Sequence, residues 1–272
     1  MNQPRVLVLH APGTNRDREA ALACQMAGGL PEIVHINQLA RGQRTLAAYQ
    51  MMVLPGGFSY GDDLGAGRLW ATDLQFHLTD QMDAFVATGK PVLGICNGFQ
   101  ALVKAGYLPG WDGPSATLTF NAVGRFECRW VRLRVQADSP CLFLRGLDED
   151  ILCPVAHGEG RFIPNDDEVQ RRLLAQQQVA LTYVAVMDSA DETNLSADVP
   201  VCERAGYPAN PNGSWADIAG ICNPAGNVLG LMPHPEDHLL PEQHPRRHRG
   251  ERGGLGLALF ANGVRAAQAF RG

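Results

Sequence analysis

Basic residues are in deficit. The 272-residue chain sets 23 Lys and Arg against 28 Asp and Glu, a formal net charge of −5, whereas a nucleic-acid-binding surface usually shows as a basic surplus. Long apolar runs are absent too: none approaches the ~20 residues that span a bilayer. The opening MNQPRVLVLHAPG lacks the small-residue cleavage pattern of a secretory leader. Neither nucleic acid nor membrane is therefore expected as a partner. The seven cysteines form no CxxC pair, which argues against both a disulfide framework and a zinc site. There is no GxxxxGKS or GxxxxGKT loop to cradle ATP phosphates. No internal repeat or low-complexity linker divides the chain. These absences leave a reduced, cytoplasmic enzyme as the expectation, with one domain over 1–272.

What is present is an alternation of short apolar runs with helical patterns. RVLVLH (5–10), PEIVHI (31–36), the run ending at Pro55 and PVLGI (91–95) read as strands. A helix is expected from about Asn15 to Ala27. A second, long helix carries Leu74, Leu78, Met82, Phe85 and Val86 on one face at spacings of three and four. A third follows PVLGI from Cys96 to Ala105. Such units imply a parallel sheet covered on both faces. The second half is richer in strands: FECRWVRLRV (126–135), CPVAHGEGRF, VALTYVAV, DIAGICN and NVLGLMP. In the first of these Phe126, Cys128, Trp130, Leu133 and Val135 are the less polar positions, with Val131 out of period. Segment 236–254, rich in His, Arg and Pro, reads as a surface loop before a C-terminal helix. Its three histidines (238, 244, 248) are interleaved with Arg and Pro, which favours a solvated loop over a metal site.

The chemistry centres on Gly94-Ile95-Cys96-Asn97-Gly98. This has the G-x-nucleophile-x-G form of a strand-turn-helix elbow, in which flanking glycines let the crowded chain pass. A helix starting there directs its N-terminal N–H groups at the sulfur, a field that favours thiolate. The N–H of Asn97 is one candidate oxyanion donor, and the Pro55-Gly56-Gly57-Phe58 turn, at the end of an earlier strand, is the candidate source of a second. The pentapeptide alone leaves a buried structural thiol equally open. A nucleophile also needs a base. His234, between two prolines beyond a short apolar strand, lies in an extended segment where Glu236 points to the same side. That is the Cys-His-Glu form of triad logic, against the plainer reading of a surface His/Glu pair.

Taken together, LPGGFSYG, GICNGFQ and MPHPE resemble, in order and spacing, the class I (triad-type) glutamine amidotransferases. GGFSYGDDL, RFECRWV, PVAHGEGRF and NPNGSWADIAGICNPAGNVLGLMPHPE are similar to one branch, the glutaminase subunits of phosphoribosylformylglycinamidine synthases. The resemblance runs from about Val6 to Glu236. It implies a flavodoxin-like α/β fold: a central, mostly parallel sheet flanked by helices, with further antiparallel strands in the second half. It also implies Cys96 as nucleophile, His234 as general base and acid, Glu236 as its orienting carboxylate, and backbone N–H donors at Gly57 and Asn97. Gln100 matches a position near the substrate, and His157 with Glu159 a motif close to the site.

By the same resemblance the substrate is L-glutamine, and the chain itself needs no cofactor. ATP and Mg²⁺ belong to a separate large synthetase subunit acting on formylglycinamide ribonucleotide, accompanied by a small accessory subunit. Two departures stand out: Asp237 where the family often has Arg, and a longer loop after it. The rival readings are a glutaminase serving another acceptor, a cysteine hydrolase or chaperone-like protein of the same superfamily, and a catalytically dead module. The superfamily hydrolases typically place His directly after the elbow cysteine, where Asn97 stands here. The intact Cys96, His234 and Glu236 set speaks against a dead module.

Overall fold

In a computed structural model, residues 3–111, 113, 115–185, 205–250 and 252–270 are described. Cys202 and the end of the VALTYVAV run lie outside them. In chain order the regular elements are β1 (Arg5–His10), α1 (Asp17–Met26), β2 (Leu30–His35), α2 (Ile36–Ala40), β3 (Met51–Leu54), α3 (Arg68–His77), α4 (Thr79–Ala87), β4 (Val92–Ile95) and α5 (Asn97–Lys104). There follow β5 (Ala116–Phe120), β6 (Glu127–Val135), β7 (Ile151–His157), β8 (Glu159–Pro164), α6 (Asp167–Ala175), β9 (Val179–Val184), a helical turn α7 (Gly206–Ala209), β10 (Ile218–Cys222), β11 (Val228–Leu231) and α8 (Leu257–Ala267).

Nine strands form one sheet in the order β2-β1-β3-β4-β11-β10-β9-β6-β7. The run from β2 to β11 is parallel and carries the fully buried apolar strands; from β10 onward every neighbour is antiparallel. The expected α/β architecture is thus present, and the later strands extend the same sheet. β1 steps to β2 in one direction and β3 to β4 in the other. Right-handed crossovers therefore place α1 and α3 on opposite faces, where α1 packs with α8 and α3 with α5. Val6–Leu9, Met51–Leu54 and Val92–Ile95 are sandwiched between these layers.

The loops after β1 and β3 lie at this switch point, at the strands' C-terminal ends, where open α/β sheets build their sites.

Four sequence expectations need correction. The long helix through Leu74 and Val86 is two helices, because the chain leaves helical geometry at Leu78 (φ −128°, ψ 5°). Leu74, Leu78, Met82 and Phe85 nonetheless share the buried face. CPVAHGEGRF is broken at Gly158: β7 ends the large sheet, while β8 pairs only with β5 in a second, two-stranded sheet. In β6 the inward set is Glu127, Val131 and Leu133, so Val131 is in phase and Phe126 and Cys128 point out to solvent. Glu127 holds an inward position because Arg125 and Arg129 reach its carboxylate, at 3.0 and 2.5 Å.

Segment 236–254 is only partly a surface loop. Glu236, His238 and Leu239 are buried, and the rings of His238 and His244 pack edge-on against Trp130, with centroids 5.0 and 5.2 Å away.

Candidate active site

Three adjacent strands deliver the candidate residues. β4 ends at Cys96, which adopts φ 49°, ψ −105°, a conformation uncommon for a residue with a side chain. The elbow holds because its backbone is pinned on both sides. Cys96 N–H donates to Leu231 O (2.8 Å), and Gln100 N–H donates to Cys96 O (3.0 Å). The glycine at 98 is obligatory: a Cβ there would sit 2.0 Å from Leu54 O, so α5 could not approach β3. Helix α5 follows directly from Cys96 and is buried from Asn97 through Val103.

β3 runs into Gly56 and Gly57. The loop after β1 meets this turn in a small antiparallel bridge between Thr14 and Gly57. Its hydrogen bonds are Asn15 N–H to Gly56 O (3.4 Å) and Phe58 N–H to Gly13 O (3.0 Å). The bridge therefore uses its neighbours' N–H groups and leaves that of Gly57 itself outside the ladder.

β11 is followed, after Met232 and Pro233, by His234 and Glu236. His234 N–H donates to Pro154 O (2.8 Å), which ties the segment to β7. Both side chains are buried, and His234 Nδ1 lies 2.7 Å from Glu236 Oε1. The opposite nitrogen, Nε2, is buried without a nitrogen or oxygen partner. Burial works against charge on the imidazole, but the Glu236 carboxylate and then the neighbouring Cys96 sulfur hold its pKa well above the ordinary value. Nδ1 toward a carboxylate and Nε2 toward a thiol is an arrangement that can move a proton from sulfur to a leaving group.

A cavity of about 160 Å³ opens at Cys96. Gly57, Cys96, Gln100, His157 and Glu159 line it, as do Asp62, Phe120 and Phe126. Asn97 lies behind its wall, and His234 and Glu236 stand outside the lining, with His234 beside the Cys96 sulfur. The Asn97 side chain serves as a brace: Oδ1 accepts from Ser59 N–H (3.1 Å), and Nδ2 donates to Asp62 (2.9 Å) and Gln100 Oε1 (3.1 Å). Gln100 Nε2 in turn donates to Glu159 O. Both polar ends of Gln100 are therefore engaged by the protein, which makes it a wall of the cavity.

Sequence reasoning passed over Asp62, Asn121, Phe120 and Phe126. Asp62 stands in the quoted GGFSYGDDL motif, where a run of left-handed residues turns it inward, and burial raises its pKa despite Asn97. Asn121 carried only a turn signal. Among the described residues no group of three His, Cys, Asp or Glu could hold a metal ion, and no helix is long and apolar enough to cross a membrane.

Residues 3–265 match the family model of the CobB/CobQ-like glutamine amidotransferase domain. The phosphoribosylformylglycinamidine synthase subunit PurQ of Treponema denticola is 46% identical, over 96% of this chain and 98% of that protein. The same subunit of Dehalococcoides mccartyi is 42% identical, over 98% and 99%. Among solved structures, the PurLQS structure from Thermotoga maritima superposes with a TM-score of 0.71 at 31% identity, over 97% of this chain and 99% of that one. The chain belongs to the glutamine amidotransferase family, in its branch of phosphoribosylformylglycinamidine synthase PurQ subunits.

Proposed function

We propose that this chain hydrolyses the side-chain amide of L-glutamine at Cys96 and passes the ammonia to a separate synthetase subunit, the glutaminase half of phosphoribosylformylglycinamidine synthesis. The observation that carries the reading is the buried His234, fixed by Glu236 through Nδ1 and influenced by Cys96 on its other side.

In the first step the Cys96 sulfur, its proton already held at His234 Nε2, bonds to the amide carbon. The carbonyl oxygen becomes an oxyanion held by the N–H groups of Gly57 and Asn97; such donors contribute roughly 3–4 kcal/mol each. His234 then gives its proton to the amide nitrogen, the C–N bond breaks, and ammonia leaves a glutamyl thioester. In the second step His234 takes a proton from water, the hydroxide adds to the thioester carbon, and collapse releases glutamate and restores the Cys96 thiolate beside the protonated ring. Glu236 holds the ring in the Nδ1–H tautomer throughout and offsets the imidazolium charge.

The relatives are named as subunits of a synthase, and a solved relative lies within an assembly named PurLQS. The partners proposed are accordingly the large subunit, which uses ATP and Mg²⁺ on formylglycinamide ribonucleotide, and a small accessory subunit, all cytoplasmic. Ammonia passes between subunits through an internal route, and docking raises a weak basal glutaminase activity.

The test is the assembled complex with wild-type chain or Cys96→Ala, fed glutamine or ammonium. The expected result is loss of the glutamine-dependent product with the ammonium-dependent product retained. Equal glutamine-dependent rates for both chains overturn the nucleophile assignment. A complex inert toward formylglycinamide ribonucleotide but active on another acceptor overturns the purine assignment.

A further inference from the structure

His157 ends β7 inside the cavity, 3% exposed, and the proton on its ring can be located from its neighbour. Asn121 Nδ2 donates to the carbonyls of His157 (2.8 Å) and Arg125 (3.0 Å), so the amide oxygen is the end that faces the imidazole. That oxygen accepts from Gly160 N–H (3.1 Å) and lies 3.1 Å from His157 Nδ1. An amide oxygen has no proton to give, so Nδ1 carries one and Nε2 presents a lone pair. Nε2 is buried and has no partner among the described residues. The ring lies close against Gly160, where a Cβ would come within 2.6 Å of its Cε1 and Nδ1 atoms. Burial, reinforced by the charge of His234, pulls the pKa down to about 4, which leaves the ring neutral near neutral pH.

A buried, unpaired acceptor is costly unless a ligand supplies a donor. Glutamine offers two nitrogens. Its α-ammonium is a cation, and the carboxylates of Asp62 and Glu159 line the same cavity, a charge match that a neutral imidazole does not provide. Its carboxamide points its oxygen at the Gly57 and Asn97 donors, so its NH₂ end faces away and requires an acceptor. His234, which protonates that nitrogen as it leaves, is near enough to His157 to depress its pKa.

We infer that His157 Nε2 accepts a hydrogen bond from the carboxamide nitrogen of glutamine and so distinguishes the substrate from glutamate. The role is positional and discriminating, and it rests on the glutaminase reading of Cys96. Glutamate sets a carboxylate oxygen where glutamine has NH₂. The neutral ring then meets lone pair with lone pair, which weakens product binding relative to substrate.

The test compares wild type, His157→Phe and His157→Gln in the assembled complex. It reads KM for glutamine, the competitive Ki for glutamate, and ammonium-fed synthesis. The expected result for His157→Phe is a KM for glutamine raised roughly tenfold or more, and a ratio of glutamate Ki to glutamine KM lowered by a similar factor. Ammonium-fed synthesis is unchanged. His157→Gln, which returns an acceptor oxygen near the place of Nε2, recovers part of that ratio. An unchanged ratio in His157→Phe overturns the inference even if kcat falls, because a loosened pocket weakens both ligands alike. Nitrogen-15 spectra of the wild-type histidines give a second arm that needs no variant, and a proton on His157 Nε2 overturns the inference. If wild type itself forms product from ammonium but not from glutamine, the glutaminase reading fails, an outcome distinct from the other two.

Discussion

Glu236 and His234 are two residues apart and face each other across 2.7 Å, both buried, beyond the end of a strand that lies beside the one leading into Cys96. The extended backbone expected from Pro233 and Pro235 is not what pairs them: His234 (φ −104°, ψ 86°) caps a single 3-10 turn, Pro235–Asp237, and that turn brings the carboxylate back to the ring.

Replacing Glu236 by Gln keeps the size of the side chain but lets the amide donate or accept. The ring then has no anion to hold its tautomer or offset its charge. The expected loss is roughly 10²–10⁴-fold in glutamine-dependent kcat, with ammonium-fed synthesis and thermal stability near wild type. Steady-state rates with the two nitrogen sources check it.

Gly56 lies against the same imidazole, and a Cβ there would be 2.6 Å from His234 Cε1. Gly56→Ala therefore displaces the ring without removing any catalytic group. A displacement on the order of 1 Å costs about 100-fold in rate. The glutamine reaction is expected to fall by that order, while ammonium-fed synthesis persists.

The two buried histidines make stability depend on pH in opposite senses. His157, with its pKa lowered to about 4 from the ordinary imidazole value of 6.5, leaves the unfolded chain holding more protons than the native one between those values. Stability therefore falls as pH drops through that window, by about 3 kcal/mol from this residue at 1.36 kcal/mol per unit. The environment includes Glu127, which opposes the shift, and His234, which adds to it. His234 has a raised pKa, so its contribution is fully present below the ordinary imidazole value and is lost as pH rises through its folded pKa. Urea denaturation from pH 4 to 7 should show a shallower acid limb for His157→Phe than for wild type. Parallel limbs would sink this account.

Trp130 supports the segment just beyond the catalytic pair, with His238 and His244 edge-on to its ring. Each such contact contributes about 0.5–1.5 kcal/mol beyond area burial. Trp130→Ala is expected to lower stability by about 2–3 kcal/mol and to reduce glutamine-dependent kcat less than Gly56→Ala does. Thermal melts and the same rate measurements decide it.

Much of the site was legible in the chain because its parts depend on local backbone. The elbow at Cys96 requires glycines within two residues, and the His234–Glu236 pair is made within one turn, so each leaves a short motif. Asn121 left no comparable sign, and His157 was marked only by the resemblance of its motif. They meet because β5 and β8 form a separate sheet beside β7, a tertiary fact with no periodicity of its own. The five sequential steps from β4 to β7 in the sheet would span about 24 Å if flat, yet Cys96 and His157 line one small cavity. The curl that closes this distance is not written in any local pattern. β5 and α6 were missed as elements, although Asp166 caps α6 by accepting from Val169 N–H (2.8 Å). The break at Leu78 was hidden because the buried face continues across it.

The position of β11 bears on how the molecule comes into being. It is the last strand in the chain, yet it lies directly beside β4. A ribosome delivers the cysteine more than a hundred residues before the segment that activates it. Until then β4 has an open edge, and the thiol has neither His234 nor Glu236 beside it. The segment that seals the sheet also brings the proposed base, so a chain cut short before Val228 carries Cys96 without His234 and is expected to consume no glutamine.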